Sequence, residues 1–259
     1  MALGRARAIV DAARRCLEPF GREPAAAVAE LGPAGTRARL GLDAYRFFPR
    51  RDLAALLSAA ADLQARFGSL EGAFAAGRAR PGEGDGRDAP YAGPPARLLA
   101  ACDRFVDLVL DSARRAALAA DGSAGPAASP SVADALASRA DLPAPGGVLA
   151  RNLLPAPRDG SACKRLMLFL RWMVRRDRVD IGSWTSVSPA ELVMPLDTHI
   201  HRIARALGLT SRATADLAAA LEVTAALRAF DPDDPVRFDF SLARLGIRSD
   251  YSLKDYLNT

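Results

Sequence analysis

The chain is nearly without lysine. Of its 35 basic residues only Lys164 and Lys254 are lysines, so arginine carries almost all the positive charge. Cysteine is scarce too: Cys16, Cys102 and Cys163 are widely spaced. No Cys-x-x-Cys occurs, which excludes the common zinc and iron–sulfur ligand sets, and the three read as reduced thiols. Aromatic residues make up 6% of the chain and histidine occurs twice. Few aromatics with abundant Ala and Leu favour helix over sheet. No apolar run reaches the roughly 18 residues of a membrane span. The first residues, MALGRARAIVDAARR, form an amphipathic pattern rather than a secretory signal. The expectation is an all-α, cytoplasmic protein without a membrane partner.

What is present is enough to build a core. Half of the 259 residues are hydrophobic, sufficient for one large or two small cores. The formal net charge is +5. It is uneven: residues 161–212 hold nine basic and four acidic groups, whereas 213–259 hold five basic and eight acidic. The basic excess suits a polyanionic partner.

Hydrophobic periodicity predicts a helix over 2–20, with Ile9, Val10, Ala13, Cys16, Leu17 and Phe20 on its buried face. Further helices are predicted over 51–66, from Ser69 as N-cap, and over 96–120. LGPAGTRARLG at 31–41 superficially resembles a Gly-x-Gly DNA-binding hairpin, but Pro-Ala-Gly before a helix is also ordinary turn chemistry. Gly/Pro-rich stretches at about 78–95 and 121–149 read as flexible loops within a single domain spanning 1–259. A helix is predicted from Ser161 as N-cap to about Arg176. Its apolar face is Leu166, Met167, Phe169, Leu170, Met173 and Val174. Lys164, Leu168, Arg171 and Arg175 form a separate, mostly basic stripe. A short helix is expected at Ser188-Pro189, one from Asp197 to Gly208, one over 212–229, and one with Asp234 as N-cap.

Residues 164–201 gather the rare residue types: both tryptophans, both histidines, three of four methionines and one of the two lysines. A lysine kept in so arginine-biased a chain fits chemistry that a guanidinium cannot do, since only an amine can deprotonate and form a Schiff base. A surface lysine is the plainer alternative. Asp197 fits a helix N-cap, and a capping carboxylate can also face a pocket. Trp172 and Trp184 fit packing or base stacking. His199 and His201 fit structural or surface roles. Gly160-Ser161, with Arg158, Lys164 and Arg165 near a helix start, could hold a phosphate.

Two levels of resemblance follow. NLLPAPRDGSACKRLMLFLRWMVRRDRVDIGSW, LVMPLDTHIHRIARALGLTSR and LEVTAALRAFDPDDPVRFDFSLARLGI look like a bacterial family of uncharacterised proteins, as do YRFFPRRDL and FGSLEGAF upstream. That family in turn resembles the helix-hairpin-helix DNA glycosylases, nearest in style to the archaeal 8-oxoguanine glycosylases. The segment Leu196-Asp197-Thr198-His199-Ile200, followed by Arg202, resembles the Val-Asp-Thr-His segment that carries the catalytic aspartate of endonuclease III-like enzymes. Lys164 stands 33 residues upstream, in the place of the lysine nucleophile. No Gly-x-Gly hairpin lies between the two, and no cysteine cluster follows Asp197.

The resemblance implies a multi-helix fold with two helical subdomains around a cleft, N-terminally shortened here. It implies a monomeric DNA-repair glycosylase and AP lyase that removes an oxidised purine from duplex DNA without a cofactor. Lys164 and Asp197 would be catalytic. Ser161, Arg165, Arg171, Arg175, Arg202 and Arg205 would contact DNA, and Trp172, Trp184 and His199 would line the base pocket. Two rival readings are a non-catalytic nucleic-acid-binding module of the same fold and a helical protein–protein scaffold.

Overall fold

A computed structural model describes residues 6–41, 44–45, 48–78, 95–122 and 154–247. The two expected loops, at about 78–95 and 121–149, lie outside the described residues but for their edges, as does the tail with Lys254. The fold is all-α. Among the described residues the helices are α1 Ala6–Leu17, α2 Pro24–Arg39, α3 Arg50–Phe67, α4 Leu70–Ala76, α5 Ala96–Ala120, α6 Lys164–Val174, α7 Thr198–Ala206, α8 Leu217–Arg228 and α9 Asp239–Ile247. One two-stranded antiparallel ribbon pairs Ala44–Tyr45 (β1) with Phe48–Pro49 (β2). The chain divides into two compact units, Met1–Arg78 with Asp103–Leu153, and Ala79–Cys102 with Leu154–Thr259.

The first unit is built on apolar helix faces. In α1 the buried side chains are Ala12 and Cys16, and Phe20 follows in a 3-10 turn. Val10 and Leu17 are exposed, so the expected face is rotated. The helix keeps its small residues for contact and leaves two larger ones in water. Helix α2 breaks at Gly32, whose φ of 64° only glycine adopts freely, and Pro33 opens the next segment. The segment 31–41 is thus a kink at Gly32 followed by a helical stretch that runs to Arg39. Helix α2 packs on α3 and α3 on α4. Ser69 caps α4 by accepting the Gly72 N–H at 2.9 Å, as expected. Phe74 meets Phe105 edge to face at 5.6 Å.

The second unit carries the stretch rich in rare residues. Helix α6 starts at Lys164, two residues later than it would with Ser161 as N-cap. Ser161 Oγ instead accepts the Cys163 N–H at 3.2 Å. Cys163 takes a left-handed conformation (φ 46°), and it is the one non-glycine residue with positive φ among the described residues. The buried face of α6 is Leu166, Met167, Leu170 and Val174. After α6 the chain reverses tightly: Arg176 bridges Ile181, and the Ile181 and Gly182 N–H groups both donate to the Trp172 carbonyl at 3.0 Å. A buried segment, Leu192, Val193, Met194 and Leu196, then leads to α7. Thr224 of α8 fixes that segment, accepting the Met194 N–H at 3.0 Å and donating to Ala220 O at 2.6 Å. Helix α8 begins after Asp216, which accepts the Ala219 N–H at 2.8 Å. Asp234 precedes a 3-10 turn, Pro235–Phe238, and makes no side-chain cap there. Helix α9 follows and packs on α7.

Candidate functional site

Lys164 and Asp197 meet. The Lys164 Nζ donates to Asp197 Oδ2 at 2.7 Å, across 33 residues of sequence. Both stand at helix beginnings, Lys164 as the first residue of α6 and Asp197 as the N-cap of α7. The two carboxylate oxygens of Asp197 are divided between tasks. Oδ1 accepts the backbone N–H groups of His199 at 2.9 Å and Ile200 at 2.8 Å, which caps the helix. Oδ2 is left for the lysine. The capping and pairing roles are both filled by one side chain.

The pair is half-buried: Lys164 is 38% and Asp197 25% exposed at the side chain. Burial pushes the Asp197 carboxyl up. The Lys164 hydrogen bond, the Ile200 N–H, the Lys164 charge and the His199 N–H pull it down and prevail, leaving it below the usual carboxylate value. Asp197 is therefore a fixed anion. Its backbone leaves it little freedom, because the segment before it is anchored through Met194 and Leu196.

The basic stripe of α6 corrects the sequence expectation. Arg171 and Arg175 were expected to contact DNA, but they are 5% and 7% exposed. Arg171 Nε donates to Asp180 Oδ2 at 3.1 Å, and its terminal nitrogen NH1 donates to Asp239 Oδ2. Arg175 Nε donates to both oxygens of Asp234, at 3.0 and 2.9 Å. Its NH1 donates to Asp177 Oδ2 at 2.9 Å and also to Asp180 Oδ2. Asp177 Oδ1 accepts the Val179 and Asp180 N–H groups at 2.7 and 2.8 Å, which holds the reverse turn. Two guanidinium groups are thus shared among four aspartates. They are committed inside the protein and have no face for phosphate.

The remaining candidates separate by exposure. Arg202 and Arg205 are exposed on α7, one and two turns beyond Asp197. Arg165 is half-buried, and burial lowers its guanidinium from the ordinary value. Ser161 is half-buried beside Asp216, its backbone bridged to that residue. His199 is exposed next to the pair, whereas His201 is buried with Nε2 donating to Arg212 O at 3.1 Å. Trp184 is not free to stack on a base: it is buried and meets Phe169 edge to face at 5.4 Å. Trp172 is exposed, but eight residues beyond Lys164 it lies about 12 Å along the helix axis. A feature that the sequence reading missed is Asp239, the buried partner of Arg171 at the start of α9. The acidic surplus of residues 213–259 opposite a basic surplus in 161–212 was its one sequence signal.

A cleft of about 850 Å³ lies in the first unit, lined by residues including Val28, Ala61, Asp62, Ser112, Arg115 and Ala116. It contains none of the sequence candidates. Cavity volume alone would point there; the sequence candidates that converge, Lys164 and Asp197, lie in the second unit. Among the described residues no group of three or more His, Cys, Asp or Glu side chains could hold a metal ion, and no described helix is long and apolar enough to cross a membrane.

The model of one protein family, described as a protein of unknown function (DUF2400), matches residues 1–111 and 132–248. The chain belongs to that family. No curated protein and no solved structure matches it.

Proposed function

We propose that this DUF2400 protein is a DNA-repair glycosylase with AP-lyase activity, acting on an oxidised purine in duplex DNA through a Schiff base on Lys164. The observation that carries the reading is the 2.7 Å contact between Lys164 Nζ and an Asp197 carboxylate that a helix start holds in place. Sequence resemblance to the helix-hairpin-helix glycosylases proposes the same pair from independent grounds. The two helical units are compatible with the two-subdomain architecture of that superfamily.

In this reading the damaged nucleotide rotates out of the duplex, at a cost of a few kcal/mol. The Lys164 ammonium gives up a proton, and its free amine attacks C1′ of the deoxyribose. The bond from C1′ to the base breaks, and the base leaves with the bonding pair and takes up a proton. The sugar ring then opens to an imine between C1′ and Nζ. Loss of a C2′ proton expels the 3′ phosphate and nicks the strand, and water releases the lysine. Asp197, held ionised, is suited to stabilise the positive charge that develops on the sugar and then on the imine. Arg202 and Arg205, exposed on α7, are the candidates for phosphate contacts, with Arg165 next to Lys164 on α6. Ser161 lies at the same helix start as Lys164.

The test is borohydride trapping on duplexes carrying 8-oxoguanine, other oxidised purines or an abasic site. The expected result is a covalent adduct with the wild-type chain and none with Lys164→Gln. A folded wild-type chain that traps on no substrate sinks the proposal. Salt-dependent duplex binding without trapping then identifies a binding module, and absence of both identifies a scaffold.

A further inference from the structure

Two tight turns of the second unit share one pattern and one clamp. In Asp177-Arg178-Val179-Asp180, Asp177 Oδ1 accepts the N–H groups of Val179 at 2.7 Å and Asp180 at 2.8 Å. In Asp231-Pro232-Asp233-Asp234, Asp231 Oδ1 accepts those of Asp233 at 3.2 Å and Asp234 at 3.0 Å. The last aspartate of each turn goes to the same guanidinium: Arg175 NH1 donates to Asp180, and Arg175 Nε to Asp234. The turns are thus held together at the C-terminal end of α6. The first is pinned again where the Ile181 and Gly182 N–H groups donate to the Trp172 carbonyl.

What this frame displays is apolar. Phe230, Ile181 and Val179 are 75%, 68% and 62% exposed, the three most exposed large hydrophobic side chains among the described residues. Val179 and Ile181 flank the buried Asp180, and Phe230 immediately precedes Asp231. Large apolar side chains gathered in water on a fixed frame mark an interaction surface. The tips of the two turns carry opposite charge. Arg178 is exposed beside Val179, and its guanidinium has no partner among the described residues. At the other turn Asp231 is answered by Arg237 at 2.7 Å, whereas the exposed Asp233 carboxylate has no partner among the described residues. A polyanion such as duplex DNA or an anionic membrane suits the first tip and is repelled by the second. A surface with both signs beside apolar side chains is complementary to itself: under a two-fold rotation the basic tip of each copy meets the acidic tip of the other.

We infer that the paired turns are a docking surface for a second copy of this chain. In the dimer Val179, Ile181 and Phe230 leave water, and Arg178 faces the partner's Asp233. The buried sharing of Arg175 then has a use beyond the fold. It sets the two turns at a fixed spacing, so that association orders little that is not ordered already. The surface lies at the C-terminal end of α6 and Lys164 at the other, so pairing is expected whether or not the chain traps on DNA.

Analytical ultracentrifugation of the full chain provides the test. The wild type is expected to sediment at twice the mass of one chain across the micromolar range. Ile181→Asp is expected to weaken pairing by about tenfold or more, and Val179→Ser, which places no charge on the turn, to weaken it less. Val10→Asp, an exposed change on α1, is expected to leave pairing as it is. Arg178→Glu and Asp233→Arg are each expected to weaken self-association, because each sets like charges against one another. An equimolar mixture of the two variants is expected to form a heterodimer, since both tip-to-tip contacts are then again between opposite charges. That mixing result stands even if Ile181→Asp does not fold. A wild-type chain that is monomeric throughout overturns the inference. So does a dimer indifferent to folded Ile181→Asp, or a mixture that pairs no better than its components. A monomer whose binding to plain duplex DNA or to vesicles of anionic phospholipid is lost in Ile181→Asp assigns the surface to that polyanion, which equally overturns it.

Discussion

The two ends of helix α6 use one stripe of positive charge in opposite ways. At the N-terminal end Lys164 meets one carboxylate, and a good part of the pair faces solvent. At the C-terminal end Arg171 and Arg175 meet four carboxylates and are nearly closed off from solvent. Arginine suits the closed end because its planar fork can serve several oxygens at once and stays charged when desolvated. Lysine suits the open end because a single ammonium can be released from a single partner. The difference teaches that charge on a helix face does not tell surface from interior. What tells them apart is how many counter-charges the rest of the fold brings to each position.

The comparison breaks most severely at Arg171. Arg171→Met leaves Asp239 without its guanidinium and Asp180 with one donor fewer, and is expected to cost about 3–5 kcal/mol in urea unfolding. A cost under about 1 kcal/mol would mean that the closed end is no more than a surface cluster.

Next comes the turn that closes that end. Gly182 has φ +60°, and a Cβ there would run into Arg176 Cβ and lie within 2.7 Å of the Arg175 carbonyl oxygen. Gly182→Ala is expected to cost about 2 kcal/mol, seen as a lowered Tm. An unchanged Tm would show that the turn relaxes without disturbing Arg175.

At the open end the effects on stability shrink while those on chemistry grow. Asp197→Ala removes the cap and is expected to cost about 1 kcal/mol, whereas Asp197→Asn keeps a capping oxygen and costs less. Both are expected to suppress trapping. Equal stability of the two variants would contradict the division of labour between the oxygens.

Lys164→Gln is expected to cost no more than about 1 kcal/mol, because the pair is partly solvated. That small term has a defined pH dependence. The Asp197 carboxyl is held below its usual 3.8 in the folded chain, so the contribution is complete above that value and is lost as pH falls through the folded value. Wild type and Lys164→Gln should therefore differ slightly at neutral pH and converge in strong acid. A gap that widens on acidification would reverse the sign and discard the assignment.

Much of the fold could be read along the chain. Helix α5 was expected over 96–120 and spans those residues, and the Ser69 and Asp197 caps are where local pattern puts them. These features depend on neighbours within a turn or two. The start of α6 was misread because Ser161, a good capping residue, instead binds its own loop, and Cys163 turns left-handed before Lys164. The direction of Arg171 and Arg175 was misread for a different reason. Their partners Asp180, Asp234 and Asp239 lie from five to 68 residues away, and periodicity carries no information about which distant carboxylates will arrive. Lys164 and Asp197 were paired from resemblance; neither residue alone stood out from a surface lysine and an ordinary cap.

The two jobs of Asp197 bear on how related chains should be read. A descendant that had abandoned chemistry would still need a capping oxygen at this position, so selection for folding alone would preserve Asp, or drift to Asn, Ser or Thr. Nothing comparable protects Lys164, whose removal is expected to cost no more than about 1 kcal/mol. Across a family, the lysine is therefore the informative character and the aspartate the silent one. Under the proposed glycosylase reading, chains that keep both would belong to an active lineage, and chains that keep only the aspartate would keep its scaffold.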